Sequence, residues 1–185
     1  MAKKKLVWYP GAMYHVTSRG NRRSDIFKDE DDYLIYLEVV KGAIEYYNNS
    51  YEVIAYTLMT NHVHLQIKTD DIHIWYLMSR INKTYARNFN NKYNFVGHVF
   101  QSRYNGELIE SDEYVLAASK YIHLNPVRAN MVIAPENYRW SSYSMYLGTR
   151  KEDIIHSEIL LSYFRGDKRE LYKRYVECAN ATINI

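Results

Sequence analysis

His62 and His64 stand one residue apart in the run His62-Val63-His64-Leu65-Gln66-Ile67-Lys68. The alternation predicts a β-strand, in which residues i and i+2 point the same way with Cα atoms ~6.6 Å apart. Two imidazoles placed like this can converge on one divalent cation, while Val63, Leu65 and Ile67 face a core. The plainer alternative is a pair of polar residues on the wet face of a half-exposed strand, and short motifs of this kind also arise by chance. A third ligand and a reacting group must come from elsewhere in the chain.

Both can come from the segment Ser111 to Pro126. It predicts a helix over about 112–124, ending at Asn125-Pro126 because the residue before proline disfavours helical geometry. Tyr114, Ala118, Tyr121 and Asn125 recur at spacings of four, three and four, which is one helical stripe. If the stripe faces the histidines, Asn125 offers a neutral oxygen and Tyr121 a hydroxyl. Two imidazoles and one oxygen leave open positions on Mg²⁺ or Mn²⁺ for phosphate oxygens and water. The metal would polarise a phosphodiester, the tyrosine oxygen would attack phosphorus in line, and a covalent phosphotyrosine would result. Free tyrosine ionises near pH ~10, so the hydroxyl needs a base or a local field, and the sequence identifies neither. Spacing alone fits Tyr121 equally well as a packed helix residue. Tyr114 is the second candidate nucleophile. His15 can approach from a neighbouring strand, although a structural role is the simpler reading. His73, His98, His123 and His156 read as surface or packing residues.

The elements that must position these groups follow from hydrophobic periodicity. Residues 12–19 predict a first strand, closed by the turn signal Gly20-Asn21. Asp29 is the expected N-cap of a helix over about 30–48, where Leu34, Leu37, Val40, Ile44 and Tyr47 keep helical spacing. Tyr51–Leu58 predicts a second strand, joined by a short turn to the histidine strand, 62–68. Asp70 or Asp71 is the expected cap of a helix over about 71–91, on which Arg80, Lys83 and Arg87 share a face. Val96–Ile109 contains strand-like stretches broken at Gly97 and Gly106, residues 127–150 look irregular or short-helical, and Ser157 to about Ala179 looks helical. The order β-α-β-β-α-β-α begins as a ferredoxin-like, split β-α-β fold of the α+β class. Two helices would cover one face of an antiparallel sheet. The tyrosine helix would lie on the other, over His62, His64 and Gln66. Residues 1–150 form the expected catalytic domain and 151–185 a helical C-terminal extension.

Composition narrows the function classes. With 47% apolar and 24% charged residues, the 185-residue chain is of ordinary globular type. One cysteine, Cys178, leaves no intrachain disulfide and fits a reducing, cytoplasmic setting. No apolar run suits a signal peptide or a membrane span. The net charge of +3 is mildly basic, and its positive part is clustered. Arg19, Arg22, Arg23, Lys83, Arg87, Arg103 and Tyr104 are the expected contacts to a nucleic acid, by charge and stacking. Arg128 is assigned to the end of the tyrosine helix. Twenty tyrosines must serve mostly as core and surface filler. Lys168, Arg169, Lys173 and Arg174 read as the wet face of a helix.

Five pieces in order carry a family resemblance: Tyr14-His15-Val16-Thr17-Ser18-Arg19-Gly20-Asn21, Met59-Thr60-Asn61-His62-Val63-His64, Phe100-Gln101-Ser102-Arg103-Tyr104, Lys120 to Ala129, and Trp140-Ser141-Ser142-Tyr143. Over about residues 8–148 the chain resembles the HUH-type single-tyrosine transposases, most closely their REP-associated branch. The resemblance implies His62 and His64 as metal ligands, Asn125 as the third ligand and Tyr121 as the nucleophile. It implies cleavage of single-stranded DNA near a hairpin, with the 5′ phosphate kept on tyrosine and a free 3′ hydroxyl that later rejoins strands. No nucleotide cofactor is implied, only Mg²⁺ or Mn²⁺. A prokaryotic, nucleoid-associated protein, monomeric or homodimeric, is expected. Two rivals stand beside it. One is a non-catalytic nucleic-acid-binding module on the same fold, since ferredoxin-like sheets bind RNA through aromatics. The other is a replication initiator or relaxase-type nicking enzyme. Against the latter stand a tyrosine placed after the histidines and the run Asn125-Pro126-Val127-Arg128.

Overall fold

Strand alternation builds the sheet. In the computed structural model, which describes residues 6–178, β1 (Met13–Arg19) alternates half-buried and buried side chains, with Tyr14, Val16 and Ser18 inward. Then come α1 (Glu30–Tyr46), β2 (Tyr51–Met59), β3 (His62–Thr69), α2 (Ile74–Tyr93), β4 (Asn105–Ile109) and α3 (Asp112–Arg128). The sheet order is β2-β3-β1-β4 and every pairing is antiparallel. This is the α+β, ferredoxin-like arrangement that the element order predicts.

Two hydrogen bonds show which layer lies on which face. Asn82 of α2 donates to Ser18 Oγ at 3.0 Å, so α2 lies on the side of Ser18 and its register partner Val63. Gln66 donates to the Val115 carbonyl of α3 at 3.0 Å, so α3 lies on the opposite side, with His62 and His64. Val63, Leu65 and Ile67 are fully buried. Each contributes about 1.5–3 kcal/mol of transfer free energy before ordering costs. The face bearing the histidines is not open, because Gln66 is fully buried and His64 nearly so beneath α3.

Several boundaries differ from the expected ones. Helix α1 starts as predicted, with Asp29 accepting from the Asp32 N–H. Helix α2 begins three residues later than expected. Its cap is the His73 ring, which accepts from the Trp75 N–H, and neither Asp70 nor Asp71 caps it. Of the stretch 96–109 only β4 is a strand. Phe100 makes a single bridge to Gly20. Helix α3 does not stop before Pro126 but runs through it to Arg128. A proline at that position cannot donate to the carbonyl four residues back, Ile122. The Thr57 hydroxyl of β2 supplies the missing donor at 2.8 Å, so the sheet itself stabilises the continued helix.

The C-terminal part is two helices rather than one. After a short α4 (Tyr143–Tyr146), α5 (Ser157–Leu161) and α6 (Lys168–Glu177) are separated around Gly166, whose φ of +103° no helix accommodates. The expected end near Ala179 lies outside the described residues. The outer edge of β2 is covered by the segment 140–156, through Leu58 N–H to Trp140 O, Ser142 N–H to Tyr56 O and His156 N–H to Val53 O. Such cover hides an edge that would otherwise pair with other chains. No helix among the described residues is long and apolar enough to cross a membrane.

Candidate active site

The first residues of β3 bring His62 and His64 onto the α3 side, with ring centroids 5.0 Å apart. Asn61, in the two-residue turn before β3, holds the first ring. His62 Nδ1 lies 2.6 Å from Asn61 Oδ1. The amide cannot be turned round, because its Nδ2 donates to the Arg23 carbonyl at 3.2 Å. The His62 proton therefore sits on Nδ1, donated to Asn61, and Nε2 keeps its lone pair. The Arg23 carbonyl belongs to the turn after β1, where Gly20 donates its N–H to the Asn61 carbonyl at 2.8 Å. A Cβ at Gly20 would stand 2.1 Å from the Ser24 carbonyl oxygen, so the turn closes only with glycine.

His64 is braced from β1. His15 is directly opposite Gln66 in the register and therefore diagonal to His64, close enough for rings to meet. The two rings stack with centroids 5.1 Å apart, and His15 Nε2 lies 2.9 Å from His64 Nδ1. Burial lowers the pKa of His64 to about 2, helped by repulsion from His15 and His62 whenever either is protonated and by the Arg19 charge. Burial and then Arg19, its register partner, lower His62 to about 4. Burial also lowers His15, against an opposing pull from Glu107. All three imidazoles are neutral at pH 7, the form in which nitrogen can ligate a metal.

Tyr121 meets this cluster edge-on, with its ring 5.5 Å from His64 and 5.7 Å from His15. It is 40% exposed. A cavity of about 560 Å³ opens here, and His15, His64, Tyr114, Tyr121 and Arg128 are among its walls. The Arg128 guanidinium lies 5.0 Å from the Tyr121 ring centroid, so the last residue of α3 turns back over the tyrosine as well as closing the helix. Tyr114, the other candidate nucleophile, is raised to about 12 by burial and by its hydrogen bond to Glu107, which works against its ionisation. The inward residues of α3 include Val115, Ala118, Ile122 and Pro126. Tyr114 and Asn125 are only half-buried, and Tyr121 stands on the exposed flank. Only Ala118 of the predicted stripe is truly inward.

Asn125 follows Tyr121 by one turn and makes no side-chain hydrogen bond within the described residues. No three His, Cys, Asp or Glu side chains among the described residues form a group able to hold a metal. A set of His62, His64 and the Asn125 amide oxygen has only two members of those types.

The residues expected to meet nucleic acid lie in separate places. Arg19, Arg22 and Arg23 are exposed at the His62 end of the sheet. Arg22 and Arg23 both take positive φ, 52° and 61°. Lys83, Arg103 and Tyr104 line a second cavity of about 500 Å³ between α2 and residues 97–104, beside the half-exposed Trp75. Arg87 shares a neighbouring groove with Lys83, Tyr47 and Tyr76. Arg80 lies 3.4 Å over the Tyr46 ring. Sequence reasoning assigned no site role to Asn61, Trp75 or Arg128, and for His15 it preferred a structural role over an approach to the site. The strand register that pairs His15 with His64 is a tertiary fact. Asn61 stood beside His62 in the quoted motif and was the one readable signal.

Comparisons with known proteins bear on the family and the fold. The family described as "Transposase IS200 like" matches residues 9–125. Among solved structures, a REP-associated tyrosine transposase bound to a REP hairpin shares the fold. Its TM-score is 0.68 at 17% identity, over 91% of this chain and 93% of that one. A looser match, with a TM-score of 0.48 at 9% identity, is the tRNA(His) guanylyltransferase of Saccharomyces cerevisiae, over 96% of this chain and 76% of that one. No curated protein matches the chain. Because the family match runs from before β1 to Asn125, well over half of the 185 residues, the chain belongs to the IS200-like transposase family.

Proposed function

We propose that the chain cleaves and rejoins hairpin-bearing single-stranded DNA through a 5′-phosphotyrosine on Tyr121. The observation that carries this reading is an exposed tyrosine whose ring lies 5.5 Å from that of a buried, neutral histidine, at the mouth of a cavity. The Tyr121 oxygen attacks the scissile phosphorus, the bond to the 3′ oxygen breaks, and that oxygen leaves with a proton as a 3′ hydroxyl. A 3′ hydroxyl then attacks the phosphotyrosine, releasing Tyr121 and restoring a phosphodiester. Bond energy is conserved in the intermediate, so no nucleotide is consumed.

His62, His64 and Asn125 would hold a divalent cation, Mg²⁺ or Mn²⁺, and the donor set fits: two neutral imidazoles and one amide oxygen. When bound, that cation polarises the phosphate and offsets charge on its oxygens. Arg128 sets a positive charge beside the tyrosine that approaches an anionic phosphate. Arg19, Arg22 and Arg23 extend from the same end of the sheet toward DNA phosphates. Lys83, Arg87, Arg103 and Tyr104, with Trp75, offer charge and stacking surface farther along. The catalytic part is residues 1–150, the segment from residue 151 onward is an extension carrying α5 and α6, and the setting is the cytoplasm of a prokaryote.

Labelled hairpin-bearing single strands incubated with the protein and Mn²⁺ should give a covalent adduct on a denaturing gel. Tyr121→Phe should abolish it, and EDTA should suppress cleavage more than binding. Binding without any adduct over a broad substrate panel would instead favour a non-catalytic nucleic-acid module. An adduct surviving in Tyr121→Phe would move the nucleophile elsewhere.

A further inference from the structure

His15 and His64 share one hydrogen bond, and with both rings neutral only one can donate it. If His15 Nε2 carries the proton, His64 Nδ1 accepts, and the His64 proton is forced onto Nε2. If His64 Nδ1 carries it, His64 Nε2 is left with a free lone pair. The two arrangements differ by no heavy-atom movement, yet only the second makes His64 a ligand.

The choice depends on His15's other nitrogen. Nε2 of His15 is engaged with His64 at 2.9 Å, so Nδ1 is the nitrogen that remains for its other neighbours. Glu107, whose carboxylate accepts a hydrogen bond from Tyr114, is the direct register partner of His15 on β4 and lines the same cavity. A carboxylate beside an imidazole favours a proton on the nitrogen that is not otherwise engaged. With the proton on Nδ1, His15 Nε2 can only accept.

We propose that His15 is a positioning residue that accepts the Nδ1 proton of His64 and so leaves His64 Nε2 free to ligate. It does from β1 what Asn61 does for His62 from the preceding turn. An amide and an imidazole on opposite sides give both histidines of the pair the same tautomer. Orienting partners of this kind typically change metal affinity by roughly 10–100-fold when removed.

The inference rests on the metal-dependent reading of the site, and its test is separable from that reading. Long-range ¹H–¹⁵N spectra of the metal-free, DNA-free full chain, labelled at histidine, report which ring nitrogen carries each proton. Both His62 and His64 should show protonated Nδ1. His15→Leu, which removes the acceptor, should move His64 toward the Nε2–H form and weaken Mn²⁺ binding at least tenfold by titration calorimetry. His15→Gln, whose amide oxygen can still accept, should restore most of both. A wild-type His64 protonated on Nε2 overturns the inference even if His15→Leu fails to fold. So does a folded His15→Leu variant with unchanged tautomer and affinity. A DNA adduct from a protein with the wrong His64 tautomer would sink the positioning role alone. The right tautomers with no Mn²⁺ binding would sink the metal-dependent reading instead.

Discussion

Asn61 has no reactive group, yet it decides which nitrogen of His62 carries a proton. Its amide is fixed at both ends, by the Arg23 carbonyl and by His62 Nδ1. Asn61→Ala should leave the fold intact and lower Mn²⁺ affinity by roughly tenfold or more, measured by calorimetry. Unchanged affinity would mean that His62 needs no orienting partner. At this scale the sequence was informative about the candidate reactive residues and poor about those packed around them. His62, His64 and Tyr121 stand out by type and spacing, and the structure brings the His64 ring within contact of each of the other two. His15 and Arg128 do not stand out. The relevance of His15 depends on a diagonal neighbour on another strand, and that of Arg128 on how a helix end turns back over its own side chains.

At the scale of elements, strands and long helices were legible because each has one periodic apolar face. Their ends were not, because helix ends are set by partners distant in sequence. Pro126 is the clearest case. Local geometry predicts that the helix stops before it, and the structure carries the helix through because Thr57 satisfies the Ile122 carbonyl that proline leaves unpaired. Thr57→Val should therefore cost about 1–3 kcal/mol in urea unfolding, the usual penalty for a buried polar group left without a partner. In a Pro126→Ala background the same change should cost clearly less, since an alanine there has a backbone N–H to donate to the Ile122 carbonyl. Equal costs in both backgrounds would show that the hydroxyl and the missing N–H are unrelated. The single predicted helix over 157–179 fails for a different reason. Its apolar positions keep helical spacing on both sides of Gly166, and periodicity alone does not register a break that resets the direction of the chain.

For the whole molecule, the buried imidazole of His123 ties three layers together. Its Nε2 lies 2.8 Å from Ser142 Oγ and its Nδ1 2.8 Å from the Tyr172 hydroxyl of α6, while Ser142 Oγ in turn accepts from the Tyr56 N–H of β2. Burial depresses its pKa to about 3 against an ordinary 6.5. The unfolded chain then takes up the proton first as pH falls. The stability that neutral His123 contributes is complete above pH 6.5 and is lost progressively toward pH 3. Denaturation midpoints should fall over that window, and His123→Gln should flatten the fall; an equal slope in the variant would assign the effect to other groups. The same tie has a mechanical consequence. Helix α3 is gripped on one side by Thr57 and Gln66 of its own sheet and on the other by Tyr172 of α6. Clamped from both sides within a single chain, Tyr121 is a fixed anvil, and in the proposed reaction it is the DNA ends that must travel between cutting and resealing.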